Sequence, residues 1–282
     1  MGAAVLTGTG ANSLTVHTAN SDVVLGAATP GAITSANIIT SARASTIVEA
    51  TAPLGYFDVN LDHTTTAHLT TIEARGATAG TGIVLLGANE VSYLDAISAT
   101  AGGFAFHDTL AFDLYGPITA TGQTVDLRSA HAIGPVSTGI IAAQTLTGSS
   151  VGGANFGAAN QVVQLGDFTN TGGLLKLLDD RSLTITEIVL SMGTLALTSH
   201  AGMTFASTGK VTADGAGDAI VLASDGTFTN ARGADAVTAS NAVGRWLIYP
   251  QAVGNASGST AANSFNGLVG KSFYGSAIST RP

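Results

Sequence analysis

The feature that most constrains this chain is a cadence. Between residues 182 and 231, short runs that alternate apolar and polar residues follow one another almost without interruption: SLTIT (182–186), TLALTS (194–199), MTFAST (203–208), AIVLAS (219–224) and TFTNA (227–231). Their apolar starts, with Val211 between, are Leu183, Leu195, Met203, Val211, Ile220 and Phe228, at intervals of 12, 8, 8, 9 and 8 residues. A period of two places every second side chain on one face, the pattern of a half-buried strand. Intervals this short hold a strand and a turn but no crossover helix, which excludes an α/β fold. SLTVHT (13–18), HLTTIEA (68–74) and TVDLRS (124–129) carry the same alternation into the first half. Between runs stand GTG, GANS, TAGTG, NTGG, ADGAGD and SDG, whose Gly, Asn and Asp tolerate the backbone angles of sharp turns.

Composition supports short strands. Thirty-six glycines among 282 residues, with abundant Thr, Ser and Asn, disfavour long helices. Hydrophobic residues make up 45% and charged residues only 10%, which separates the chain from disordered segments of low hydrophobicity and high charge. A net charge of −8 with only ten Lys and Arg supplies no basic stripe for nucleic acid or for an anionic membrane surface. With no cysteine there is no disulfide framework, thiolate nucleophile or Cys-ligated metal. The longest apolar runs, GIVLLGA (82–88) and EIVLSMGTLAL (187–197), are too short and too interrupted to span a bilayer. The opening MGAAVLTGTGANSLTV lacks a basic region and an apolar run of signal-peptide length, so an exported protein of this sequence is expected to carry its signal elsewhere.

Internal similarity chooses among all-β architectures. GANEVSYLDAISATAGGFAFHD (87–108) lies over GAANQVVQLGDFTNTGGLLKLLDD (157–180), pairing Asn89 with Asn160, Val91 with Val162, Leu94 with Leu165 and Ile97 with Phe168; a one-residue slip brings Gly102–Gly103 onto Gly172–Gly173. A weaker echo joins TGIVLLGANEV (81–91) to GDAIVLASDGT (217–227). Repeats that keep apolar positions loosely and turn glycines well mean stacked units, each burying its face on the next. The predicted fold is a right-handed parallel β-helix with about three strands and ~20–25 residues per turn, about ten turns in all, each adding roughly 4.8 Å. An antiparallel sandwich is the alternative, disfavoured by the lack of two-residue Asn-Gly hairpin loops. In such a rod apolar residues stack on their own kind inside, while outward positions favour Thr and Ser because stacked like charges repel.

GAANQVVQLGDFTNTGGLLKLLDDRSLTIT (157–186), TLALTSHAGMTFASTGKVTADG (194–215), GRWLIYP (244–250) and NSFNGL (263–268) resemble segments of the filamentous haemagglutinin-like exoproteins of two-partner secretion systems in Gram-negative bacteria. The resemblance extends over residues 80–275 and is most specific in GRWLIYP. It implies a secreted adhesin or surface fibre whose shaft carries binding regions away from the cell. The family's N-terminal secretion domain is not visible here, so the resemblance implies a distal piece of shaft and its end. The expected partners are a host glycan, a matrix protein, or like subunits end to end.

GRWLIYP contains the single tryptophan and is expected to mark the boundary between a shaft (1–243) and a terminal strand with a capping segment (244–282). A solenoid's last turn exposes apolar ladder and strand edge, which template aggregation unless covered. In a strand Trp246 and Ile248 share one face and Leu247 and Tyr249 the other, so one pair can pack inward while Arg245 stays solvated and Pro250 ends the pairing. Phe265, Leu268, Phe273 and Tyr274 are expected to fold back as a lid.

Candidate chemistry is sparse. His17, His63, His68, His107, His131 and His200 have no zinc-motif spacing. In DVNLDH, Asp58, Asn60 and Asp62 would project three oxygen-bearing side chains from one strand face and form a candidate Ca²⁺ site. His63 stands where an EF-hand has its turn glycine, and a solvated outer face is the favoured reading; no resident metal or cofactor is expected. GAGDAIVL (215–222) lacks the nine-residue repetition of a Ca²⁺-binding β-roll. For a β-helical lyase or glycosidase, Asp179 with Asp180, Asp108 with Asp113, and Asp58 with Asp62 are the acid pairs to weigh against the required carboxylate separations. Asp179 and Asp180, being adjacent, read as turn residues on opposite faces. A surface-binding solenoid for ice or a crystal face would need Thr at one outward position in turn after turn, and HTTTAHLTT (63–71) invites that reading, but outward identities are expected to drift. The predicted function is a non-catalytic structural or adhesive shaft segment.

Overall fold

The computed structural model describes residues 103–135 and 138–250, the strands at 13–18, 35–41, 68–75, 83–89 and 93–99, and residues 265, 267 and 268. Every regular element among these residues is a β-strand. The chain divides into two compact units, residues 1–143 and 144–282.

In the first unit β1 (Ser13–Thr18), β2 (Ser35–Ser41) and β3 (His68–Arg75) pair in parallel, and β3 pairs with the strand Tyr93–Ser98. The turns that follow are three-sided. β4 (Ile83–Asn89) forms side A, and β5 (Tyr93–Ser98) bends to supply sides B and C. One turn on, β6 (Phe104–Asp108), β7 (Phe112–Leu114) and the start of β8 (Ile118–Ser129) lie in parallel register beside them. The rest of β8 and β9 (Ile133–Pro135) begin the next turn. β10 (Ile141–Ser150) crosses the division between the units.

The second unit has four complete turns. β11 (Ala154–Asn170) runs round all three sides, and below it come β12 (Leu175–Asp179), β13 (Leu183–Ile185) and β14 (Ile188–Ser191). Then follow β15 (Leu195–Ser199), β16 (Met203–Phe205) and β17 (Lys210–Ala213), and next β18 (Gly217–Ser224), β19 (Phe228–Asn230) and β20 (Val237–Ala239). β21 (Gly244–Tyr249) adds a last strand to side A. The fold is thus a parallel β-solenoid with three short strands to a turn. The described turns number about six, against the ten expected.

Stacking of like on like builds the core. On side A Leu175, Leu195 and Ile220 are in register, as are Leu177, Leu197 and Leu222; side B stacks Leu183, Met203 and Phe228; side C stacks Val189, Val211 and Val237. All are buried, and the residues between them are half-buried on the outside. Phe205 and Phe228 lie 5.7 Å apart within this core, and Phe156 meets Phe168 edge-on at 5.7 Å. Outward identities on side B drift where Gln164 stands in line with Thr184, although Thr184, Thr204 and Thr229 occupy one position in three successive turns. On side C the drift is present, with Thr169, Leu190, Thr212 and Thr238 in line.

The corners are polar inside. Asn160, Asp179, Ser199 and Ser224 end successive side-A strands and are all buried. At the corner before side A, Ser150 donates to Asn170 Oδ1 (2.9 Å) and Asn170 Nδ2 donates to Ser191 Oγ (3.0 Å). Asn160, Asn170, Asp179, Ser191, Ser199 and Ser224 each bond a backbone group at the bend, and a buried backbone group without a partner is costly.

The internal repeat has a structural counterpart in each unit. Leu85 pairs with Phe106 but Asn89 with Asp108, so β4 carries two more residues than its partner; Phe156 pairs with Leu177 and Asn160 with Asp179, the same shift at the same place. The Asn160 amide spans the bulge by donating to the carbonyls of Phe156, Ala158 and Leu178 at 3.0, 2.8 and 2.9 Å. Gly103 and Gly173, aligned in the sequence, both have left-handed φ, +86° and +70°. Val162 is fully buried, as the alignment requires.

Candidate functional site

In the two described acid pairs, one carboxylate lies inside the solenoid wall and the other outside it. Asp179 is fully buried; its Oδ1 accepts from the N–H of Arg181 (2.7 Å) and its Oδ2 from that of Val162 (2.9 Å). Asp180 is exposed. Asp108 is also fully buried, with Oδ1 accepting from the Leu110 N–H at 2.7 Å, whereas Asp113 is a half-buried outward residue of β7 whose carboxyl is raised by partial burial. Asp58, Asn60 and Asp62 lie outside the described residues, as does His63.

Of the histidines, His107 is half-buried, His131 is exposed, and exposed His200 meets Asp225 at 3.1 Å through Nδ1. Nothing is described of the side chains of His17 and His68. Among the described residues no group of three or more His, Asp or Glu is placed to hold a metal ion.

GRWLIYP forms β21, in register with β18. Trp246 stands over Ile220 and Ile248 over Leu222; Ile248 is fully buried and Trp246 half-buried. The other face is covered too, which alternation did not indicate: Leu247 and Tyr249 join Ala223 in a buried cluster, with Val221 packed against it. Arg245 is solvated and ion-paired with Asp218. Beyond β21, Phe265 stacks on Phe228 at 5.5 Å and its carbonyl accepts from Asn230 Nδ2 (3.0 Å). Leu268 is buried and its N–H donates to the Phe265 carbonyl. Phe273 and Tyr274 lie outside the described residues.

One groove lies on the lateral surface of the second unit, where side B turns into side C. Its volume is ≈ 600 Å³ and its lining is Asp167, Glu187, Ile188, Ser207, Thr208, Arg232 and Asp235. At this corner the connections between strands run over 186–187, 206–209 and 231–236 in successive turns. Arg232 ties the last two together, donating to the Thr208 carbonyl (2.8 Å) and to Asp235 Oδ2 (2.8 and 3.1 Å). Its guanidinium holds the Asp235 carboxyl below the usual carboxylate range. Glu187 Oε2 accepts from the Asp167 N–H (3.2 Å), and Ile188 is 53% exposed. The groove offers three carboxylates, two hydroxyls, a guanidinium and an apolar patch. Sequence reasoning missed it. Its members occur in separate loops, and the only trace is the recurrence of polar residues at 167, 187 and 207.

No family model, no curated protein and no solved structure matches the chain.

Proposed function

We propose that this chain is a non-catalytic structural or adhesive shaft segment of a secreted bacterial surface protein of the filamentous haemagglutinin-like kind. In this reading the solenoid is right-handed and reaches about ten turns, at the ~20–25 residues per turn common among solenoids, and residues 244–282 close its C-terminal end. The observation that carries the proposal is the position of the acids. Asp108 and Asp179, two of the acids weighed for a β-helical lyase or glycosidase, lie inside the wall as acceptors for backbone N–H groups, and in the groove Glu187 and Asp235 are engaged by the Asp167 N–H and by Arg232. The stacking of Phe265 on Phe228 supports the capping role, since it places an aromatic ring over the last core residue of side B. Binding to a host glycan or matrix protein belongs on the lateral groove under this reading, and end-to-end contact with like subunits at the termini.

The test pairs two assays on the full chain. Arrays of glycans and matrix proteins should give ligands whose binding falls when Arg232→Ala opens the groove, while release of unsaturated or reducing ends from polysaccharides should stay at background. Polysaccharide cleavage abolished by Asp179→Asn would overturn the proposal in favour of the enzyme. A second reading, a solenoid that binds ice or a crystal face, is favoured by the Thr184, Thr204, Thr229 column. Thermal hysteresis that is lost in Thr204→Tyr would establish it.

A further inference from the structure

The side-A to side-B corner of the second unit holds a buried carboxylate where its neighbours hold neutral residues. Asn160 precedes Asp179 by one turn, and Ser199 and Ser224 follow it, all in the same corner position and all buried. The neutral members are self-sufficient. Ser199 Oγ accepts from the Ala201 N–H (3.2 Å) and offers its proton to the carbonyls of Arg181 (2.7 Å) and Gly202 (2.9 Å). Asp179 makes the same bond to the residue two positions on, but as an anion with only backbone N–H groups against its oxygens. The charged groups around it are Asp180 and Arg181 on its own turn, both exposed, and exposed His200 one turn on, whose ring is turned to Asp225. β11 and β15 face it with neutral Asn160 and Ser199.

Two hydrogen bonds compensate a carboxylate incompletely once it is out of water. We propose that Asp179 is a proton-operated latch, ionised at neutral pH and protonated on mild acidification, so that the solenoid becomes harder to unfold as the medium turns acid. Burial is the chief cause that pushes this carboxyl up, to about 6, against the lowering effect of the Arg181 and Val162 N–H groups. The folded-state value is raised, so the folded state binds the proton more tightly than the unfolded chain does. Stability is therefore gained as pH falls through about 6 and levels off below the unfolded value near 3.8. The first unit repeats the arrangement, with Asp108 buried between the positions of Asn89 and Ser129 and accepting from the Leu110 N–H. Such a latch operates whatever the surface binds.

The test is the pH dependence of urea unfolding of the full chain, compared with Asp179→Ser, which installs the residue of the two following turns. A single proton taken up between pH 7 and pH 5 lowers the unfolding constant by roughly tenfold. That increment is expected in the wild type over and above Asp179→Ser, and it should persist in a His200→Gln background. Equal pH slopes in the two proteins would overturn the proposal. If the Ser variant does not fold, the ¹³C carboxyl titration of Asp179 in the wild type decides: a midpoint near 6 supports the latch and one near 4 removes it.

Discussion

Gly193→Ala is the sharpest test of how closely the turns are stacked. Gly193 lies at the corner before side A, directly over the preceding turn. A Cβ at this position would sit 1.9 Å from the Gly173 carbonyl oxygen and 2.8 Å from its carbon. Both obstacles are backbone, so no side-chain rotation relieves the clash, and the turns must part by more than an ångström. The bonds that resist are Gly215 N–H to Gly193 O (3.0 Å), Met192 N–H to Asn170 O (2.8 Å) and Leu175 N–H to Thr194 O (2.9 Å). Overpacking costs about 1–3 kcal/mol and each lost hydrogen bond about 1 kcal/mol, so the substitution is expected to cost about 2–4 kcal/mol. Gly217 supplies the control. Its φ is +66° but no heavy atom lies within 4 Å of its would-be Cβ, so Gly217→Ala meets only the left-handed backbone penalty of about 1 kcal/mol. Urea denaturation of the full-length variants, followed by far-UV circular dichroism, measures both. Equal costs for the two, or a Gly193→Ala protein within about 0.5 kcal/mol of wild type, would refute the argument from close stacking.

Val162→Asp places a second carboxylate beside Asp179 in the core and is expected to cost several kcal/mol, read as a lower urea midpoint. Phe265→Ala should cost about 2 kcal/mol by baring one face of Phe228, less than the ~3–5 kcal/mol of Phe205→Ala inside the ladder; an unaffected Phe265→Ala protein would contradict a capping role. Arg232→Ala removes an ion pair whose Asp235 partner is exposed and should leave the urea midpoint close to that of wild type, so a loss of ligand binding without a shifted midpoint reports on the groove.

Much of the wall was legible residue by residue. Leu183, Leu195, Met203, Val211, Ile220 and Phe228, read as apolar starts, are inward members of sides B, A, B, C, A and B in turn. The pairing of Asn89 with Asn160 falls on two equivalent register shifts, Leu85–Asn89 against Phe106–Asp108 and Phe156–Asn160 against Leu177–Asp179. The site was less legible. Asp179 with Asp180 and Asp108 with Asp113 read as acid pairs, and only the corner geometry reveals that one member of each serves the backbone.

By itself the sequence determined the strand period, the absence of crossover helices and the inward identity of positions such as Val162, since these depend on neighbours two to four residues away. The tertiary structure alone decided what happens between turns. It placed Asp167, Glu187, Thr208 and Arg232 on one corner, drew Thr184, Thr204 and Thr229 into one column, and buried both faces of β21. Those relations join residues some twenty or more positions apart, and their spacing is set by the length of the corner connection in each turn. That length varies from turn to turn without disturbing the period of the strands, so a pattern of nearest neighbours does not record it.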